Sequence, residues 1–423
     1  MPPPADVARF LSRDTIFDRV RLLDADPRVL RAFAGTGLAV DVTVPNADVP
    51  RLAASLAFAR RWVRASVAPY AEATNISRIL VGDEVISQAN RTLLLSLVPA
   101  MQNLHTALVT VLPSSLRRRE IKVSTPHSLG ILATSTPPSA ARFHDGYDTA
   151  VVKPLLSFLR ATGAPFMVNV YPFYGLTNDT LDYALFRMNE GVMDNATGLL
   201  YANMLDAQLD AVHSAMRRLG FGDVDVVVAE TGWPSAGEYW EVGAGADLAR
   251  DYNKNAIRHL GSGVGTPLMP NRTFELSIFS LFDENLKPGP VSERNFGLYH
   301  ADMTPVYDAG ILTAPQEIVG TKVTPAPAMA PAADGRRWCV PKPAADEVAL
   351  QVNIDFVCGQ GGIDCGAIRP GGSCYDPNNV QAHAAFAMNL YFQSNGQHEF
   401  DCDFGQTGVI TTADPSYKSC KFT

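Results

Sequence analysis

All six cysteines of this 423-residue chain lie between Cys339 and Cys420, and nothing before Cys339 is a cysteine. So short a segment buries little apolar surface, and a stable fold there needs covalent staples. The spacings of 19, 7, 9, 28 and 18 residues contain no C-x-x-C pair, so disulfides fit better than a zinc site. Disulfides imply an oxidising compartment, and the sequons at Asn75, Asn90, Asn178, Asn195 and Asn271 agree with secretion. The opening MPPPADVARF has no basic start, apolar stretch or small-residue cleavage site. The expectation is a secreted chain whose signal peptide has been removed or whose N-terminus is incomplete.

The cysteine-free part must hold itself together by burial. Its β-branched runs alternate with amphipathic stretches: 17–24, 38–44, 77–84, 120–126, 165–173, 223–230 and 274–282 read as strands. Helical patterns lie between them, at 49–63, 151–163 and 199–220 for example, and Gly35, Gly163, Gly220 and Gly261 read as C-caps. Strands alternating with helices predict a parallel sheet covered on both faces. Seven such strands approach the eight of a (β/α)₈ barrel, with no strand ahead of the first helical piece, PADVARFLSRD. A barrel short of its first strand leaves two edges unpaired.

Residues 322–335, KVTPAPAMAPAADG, read as an extended linker. The predicted division is a barrel domain over 1–318, a Pro/Ala-rich linker over 319–337 and a disulfide-rich module over 338–423. With 47% hydrophobic and 18% charged residues, the chain is neither disordered nor coiled-coil. A net charge of −8 argues against nucleic acid or an anionic membrane as partner. The uncharged stretch 92–116 contains Pro99, Gln102, Asn103, His105 and Pro113, and reads as a buried amphipathic helix, not a membrane span. The end SYKSCKFT offers no hydrophobic tail for a lipid anchor.

Two strands end in carboxylates. The run 224–229 is apolar and leads to Glu230; the run 79–81 leads to Gly82, Asp83 and Glu84. A carboxylate closing a buried strand is costly unless solvated, paired or functional. Helix capping or salt bridging would explain either one alone. Two of them at the end of a barrel where active sites form, with Tyr171, Phe173, Tyr174 and Trp233 also following strand ends, point to sugar chemistry. Glycoside hydrolysis needs one carboxyl to protonate the leaving oxygen and one to attack or activate water.

The segment VVVAETGWPSAG (226–237) resembles the signature of glycoside hydrolase family 17, the plant-type β-1,3-glucanases, and VGDEV, MVNVYPFYG and LFDENLKPGPVSERNFGLY are similar to further segments of that family. The resemblance spans roughly residues 4–315. It implies a (β/α)₈ barrel cleaving β-1,3-glucan with retention, Glu230 as nucleophile and Glu84 as general acid/base. It also places Asp83, Tyr171, Trp233, Glu284, Lys287 and Glu293 in the substrate cleft, although the last loop's charges read equally as a salt-bridge cluster. Two departures stand out. The family carries Asn where this chain has Asp83, and a carboxylate can only accept from a sugar hydroxyl. The family's first strand, with an aromatic for the cleft, has no counterpart ahead of PADVARFLSRD.

Residues 338–423 resemble carbohydrate-binding module family 43, which binds β-1,3-glucan. The resemblance implies the pairs Cys339–Cys402, Cys358–Cys365 and Cys374–Cys420; sequence alone leaves all 15 connectivities open. Phe386, Tyr391 and Phe392 read mostly as core, with Tyr391 or Tyr375 as the better glucan contacts. The scattered histidines form no ligand pair and GSGVG (261–265) follows a helix, so no metal or cofactor is expected. The expected protein is a secreted, monomeric endo-β-1,3-glucanase of the cell wall. Its rivals are a non-catalytic callose-binding protein with a degenerate barrel and an enzyme acting mainly by transglycosylation.

Overall fold

A computed structural model describes residues 2–88, 90–117, 120–238, 241, 243–313, 337–342, 345–359, 363–394, 397, 402, 404, 407–411, 414–417 and 419–422. The chain divides into two compact units, residues 1–317 and 318–423. The predicted linker falls almost entirely outside the described residues.

The first unit is an α/β barrel. Its strands are β1 (Arg19–Leu22), β2 (Ala39–Val44), β3 (Asn75–Val81), β4 (Lys122–Ser124), β5 (Pro126–Ser128), β6 (Phe166–Asn169), β7 (Val226–Thr231) and β8 (Leu276–Ile278). They form two all-parallel ribbons, ordered β1-β2-β3-β4 and β5-β6-β7-β8. The run expected as one strand over 120–126 is two short ones. Residues before Thr125 pair with β3 and residues after it pair with β6, so this stave hands the chain from one ribbon to the other. The run over 274–282 contributes only Leu276–Ile278.

Among the described residues no strand joins β1 to β8. An apolar groove of about 1040 Å³, lined by Val7, Leu11, Phe17, Val20, Leu276 and Ile278 among others, runs between them.

The outer layer contains α1 (Pro4–Asp14), α2 (Leu56–Ser66), α3 (Arg91–Val111), α4 (Lys153–Thr162), α5 (Met204–Arg218) and α6 (Ala246–Leu260). Two expected helices are shorter than their patterns. The stretch 49–63 breaks at Ser55, whose extended backbone ends one helix and whose hydroxyl accepts from the Phe58 amide to start α2. Residues 199–201 pair as a hairpin strand with Val192–Asp194; α5 starts only after Asn203, whose side chain accepts from the Asp206 amide. Gly163 and Gly220 take the left-handed conformation that ends a helix, whereas Gly261 at the end of α6 does not (φ −81°). By length and composition α3 could cross a membrane, yet Leu93, Leu97, Met101, Leu104 and Leu108 are buried in the unit's core.

Strand alternation sorts the side chains into an outer and an inner core. Val42, Ile79, Val168 and Val228 belong to the large core under the helices, while Leu80, Met167, Val227 and Ala229 form a separate inner layer. Toward the strand starts this layer gives way to ions. Arg19 contacts Asp41 (3.0 Å) and Glu275 (3.0 Å), and Arg78 contacts Asp41 (3.4 Å) and, more tightly, Glu275. Toward the strand ends a second charged layer forms the candidate site.

In the second unit, β9 (Trp338–Pro341) pairs antiparallel with β10 (Gly408–Thr411) beside α7 (Glu347–Gly359) and α8 (Val380–Ser394). Disulfides join Cys339 to Cys402, Cys358 to Cys365 and Cys374 to Cys420. Phe386 and Phe392 of α8 are buried in two small clusters that also contain the bridged sulfurs.

Candidate active site

The turn after β3 carries two acids because its backbone is pinned from outside. A side chain at Gly82 (φ +70°) would lie 2.5 Å from the Asn46 oxygen, so only glycine fits. Asn46 accepts from the Asp83 amide (2.7 Å) and donates to the Asp83 carbonyl (2.9 Å). Glu84 follows with φ 51°, a left-handed conformation that an L residue adopts at a cost. After β7, a side chain at Gly232 would collide with the Phe279 carbonyl at 2.1 Å, so the chain just past Glu230 packs directly on the residue that follows β8.

Both acids face one cleft of about 820 Å³, which Tyr171, Tyr174, Glu284, Lys287 and Glu293 also line. The Glu230 carboxylate is held at each oxygen. Arg21 donates to one (Nη1, 2.5 Å) and the Tyr171 hydroxyl to the other (2.8 Å). The second Arg21 nitrogen donates to Asp83 (Nη2, 2.9 Å). Asn169, at the end of β6, donates to Glu84 (2.9 Å) and reaches Asp83 at 3.4 Å. Across the cleft Lys287 binds Glu293 (2.9 Å) and lies 3.7 Å from Glu284, while the Tyr174 hydroxyl donates to Glu293 (2.5 Å). The loop's charges are therefore at once an ion-pair cluster and a cleft wall.

Burial pushes the Glu84 carboxyl above its ordinary range; Asp83 adds to this, while the Asn169 hydrogen bond and the charges of Arg21 and Lys287 oppose it. Burial also raises Glu230, to about 7, with Asp83 and Glu84 adding and Arg21 and Tyr171 opposing. The Tyr171 hydroxyl is pushed well above its usual range by burial and by Glu230, so it remains a proton donor to that carboxylate.

Trp233 requires a correction. It is 0% exposed, its indole donates to the Gly243 carbonyl (2.7 Å), and its ring packs on Phe173 and Tyr252. It is not among the residues that line the cleft and presents no face to a sugar. Sequence reading missed Arg21 and Asn169. The signal was present for Arg21, an arginine sharing the inward face of β1, which a barrel tolerates only against carboxylates. In the second unit Tyr391 is only partly buried and packs edge-on to Phe404, Tyr375 tilts over His383, and Phe356 of α7 is an exposed ring that sequence reading passed over. Among the described residues no group of acids, histidines or cysteines could hold a metal ion.

Two carboxyls in one cleft at the ends of parallel strands, one held at both oxygens and the other at one, are the arrangement of a barrel glycosidase. The comparisons narrow the class. Residues 2–311 match glycosyl hydrolases family 17 and residues 337–409 match the X8 domain, and the chain belongs to that family. It is 48% identical to a glucan endo-1,3-beta-glucosidase of Triticum aestivum, over 100% of this chain and 92% of the relative. Glucan endo-1,3-beta-glucosidase 7 of Arabidopsis thaliana is 46% identical over 100% of this chain and 82% of its own length. Among solved structures, a β-1,3-glucanase and allergen of Cryptomeria japonica pollen superimposes with a TM-score of 0.69 at 38% identity, covering 74% of this chain and 96% of its own.

Proposed function

We propose that this chain hydrolyses internal β-1,3-glucosidic bonds of a β-1,3-glucan with retention of configuration, and that its X8 unit holds the polysaccharide. The relatives' names give the substrate class. The observation that carries the mechanism is the unequal treatment of the two acids. Glu230 accepts from Arg21 and Tyr171 at its two oxygens, which orients the carboxyl and favours its charged form against the cost of burial. Among the described residues Glu84 accepts from the Asn169 amide and is in contact with no cation, which leaves its carboxyl freer to carry and deliver a proton. In this reading Glu230 attacks the anomeric carbon as Glu84 protonates the departing oxygen. Glu84 then takes a proton from water, which displaces Glu230 from the sugar. The disulfides fit an extracellular site of action.

The test is laminarin digestion by the full chain. Reducing ends should appear, the first-formed product should be the β-anomer by proton NMR, and Glu230→Gln should abolish the release. An α-anomer as first product would overturn the retaining assignment. Absence of release, with pull-down on insoluble glucan intact, would favour a binding-only protein.

A further inference from the structure

The charges at the strand ends do not balance. Seen from each packed element, β1 offers Arg21; the turn after β3 offers Asp83 and Glu84; the end of β6 offers Asn169, Tyr171 and Tyr174; β7 offers Glu230; and the loop after β8 offers Glu284, Lys287 and Glu293. Lys287 is engaged by Glu293 and Glu284. Arg21 is therefore the cation in direct contact with Glu230, and its side chain is only 5% exposed. Its two terminal nitrogens are divided between the acids: Nη1 goes to Glu230, and also to the Ala229 carbonyl (3.2 Å) and Asn169 Oδ1 (3.5 Å), while Nη2 goes to Asp83.

We propose that Asp83 is a positioning residue that competes with Glu230 for the single guanidinium of Arg21, and so sets the pH range over which the carboxyl pair works. The inference rests on the retaining glycosidase reading above. Asp83 holds its place through its backbone, which Asn46 grips on both sides, so its side-chain charge can be removed without releasing the turn. Asparagine is its isostere and keeps an oxygen for Arg21 Nη2. What changes is the charge: with a neutral side chain there, Glu230 is the one carboxylate left in contact with the guanidinium among the described residues. Asp83 also adds its field to Glu84, so both carboxyls move in one direction. Asp83 is 34% exposed, so water screens part of this effect.

The experiment is the Asp83→Asn variant of the full chain, assayed on laminarin across the pH range beside wild type. Both limbs of the kcat/KM profile should move to lower pH, by about one unit at most. Arg21→Gln should move the acidic limb the opposite way, because Glu230 then loses its cation. A side chain with only a packing role would change the height of the profile and leave its limbs in place; that result overturns the proposal. A second readout does not depend on activity. In chain labelled with ¹³C-glutamate, the carboxyl resonance lost in Glu230→Gln is titrated in wild type and in Asp83→Asn. An unshifted titration refutes competition for Arg21, even if the enzyme reading stands. Shifted titration in a chain that never cleaves glucan refutes the enzyme reading and leaves the competition intact.

Discussion

Two charged layers cross the barrel, and they differ in how they are balanced. Near the strand starts, Arg19 and Arg78 face Asp41 and Glu275, two cations against two anions, each making contact with both partners. Near the strand ends, Arg21 faces Asp83 and Glu230 with Glu84 beside them, and the other cation, Lys287, is held by Glu293 and Glu284. A balanced buried network leaves no charge to react and serves to fix register. A site short of positive charge keeps carboxyls whose protonation can change at modest cost, which is what proton transfer requires. On β3, β6 and β7 the apolar layer of Leu80, Met167, Val227 and Ala229 lies between the two, while on β1 Arg19 and Arg21 follow each other two residues apart.

Substitutions should separate these roles. The largest effect falls on the strand-end layer: Glu230→Gln should lower kcat on laminarin by roughly 10⁴-fold or more while leaving thermal unfolding unchanged or slightly raised, since it removes a buried acid from an acid-rich site. Calorimetry beside the assay checks both halves; a variant that loses activity by unfolding would end the contrast. In the lower layer Asp41→Asn should do the reverse. It leaves Arg19 and Arg78 to share Glu275 alone and should cost about 1–3 kcal/mol in chemical denaturation, with kcat per folded molecule unchanged. A fall in kcat there would mean that the two charged layers act as one.

Tyr171→Phe should be milder, an approximately tenfold loss in kcat, because one hydrogen bond to the Glu230 carboxylate is removed and the ring keeps its packing against Phe296. The smallest effect is on stability against pH. Glu230 is raised on folding, so the stability it contributes is complete below its unfolded pKa of about 4.5 and declines as pH rises toward about 7. In Glu230→Gln, Tm should therefore fall less between pH 4.5 and 7 than in wild type. His127 has the opposite sign. Complete burial lowers its pKa from 6.5 to about 3, so stability present above 6.5 is lost as pH falls toward 3, and a His127→Leu variant should resist acid better. Matched Tm curves for the wild type and both variants would remove the distinction.

How much of this was readable beforehand depends on whether a residue's reason lay in its own neighbourhood. Glu230 and Glu84 stand out because each ends an apolar run, and a polar residue at that point calls for an explanation. The parallel α/β order was legible in the alternation of patterns. Arg21 does not stand out in the sequence, because R-V-R-L alternates like a half-exposed strand, and the carboxylates that pair with it lie 62 and 209 residues away. Trp233 misled for the opposite reason. Its place after a strand end suggested an exposed ring, but the segment around Gly243 folds over it and takes up its N–H. In sequence the hairpin before α5 reads as helix because Leu199–Tyr201 continues an apolar pattern; the Asn203 cap that separates them is a one-residue signal.

The left-handed backbone of Glu84 has a consequence for the history open to such a chain. Glycine adopts that conformation freely, and glutamate does not. One substitution at 84 would silence the proposed acid and relax the turn together. Drift from a cutting enzyme toward a protein that only holds glucan therefore runs downhill in stability, and only continued selection for cleavage opposes it.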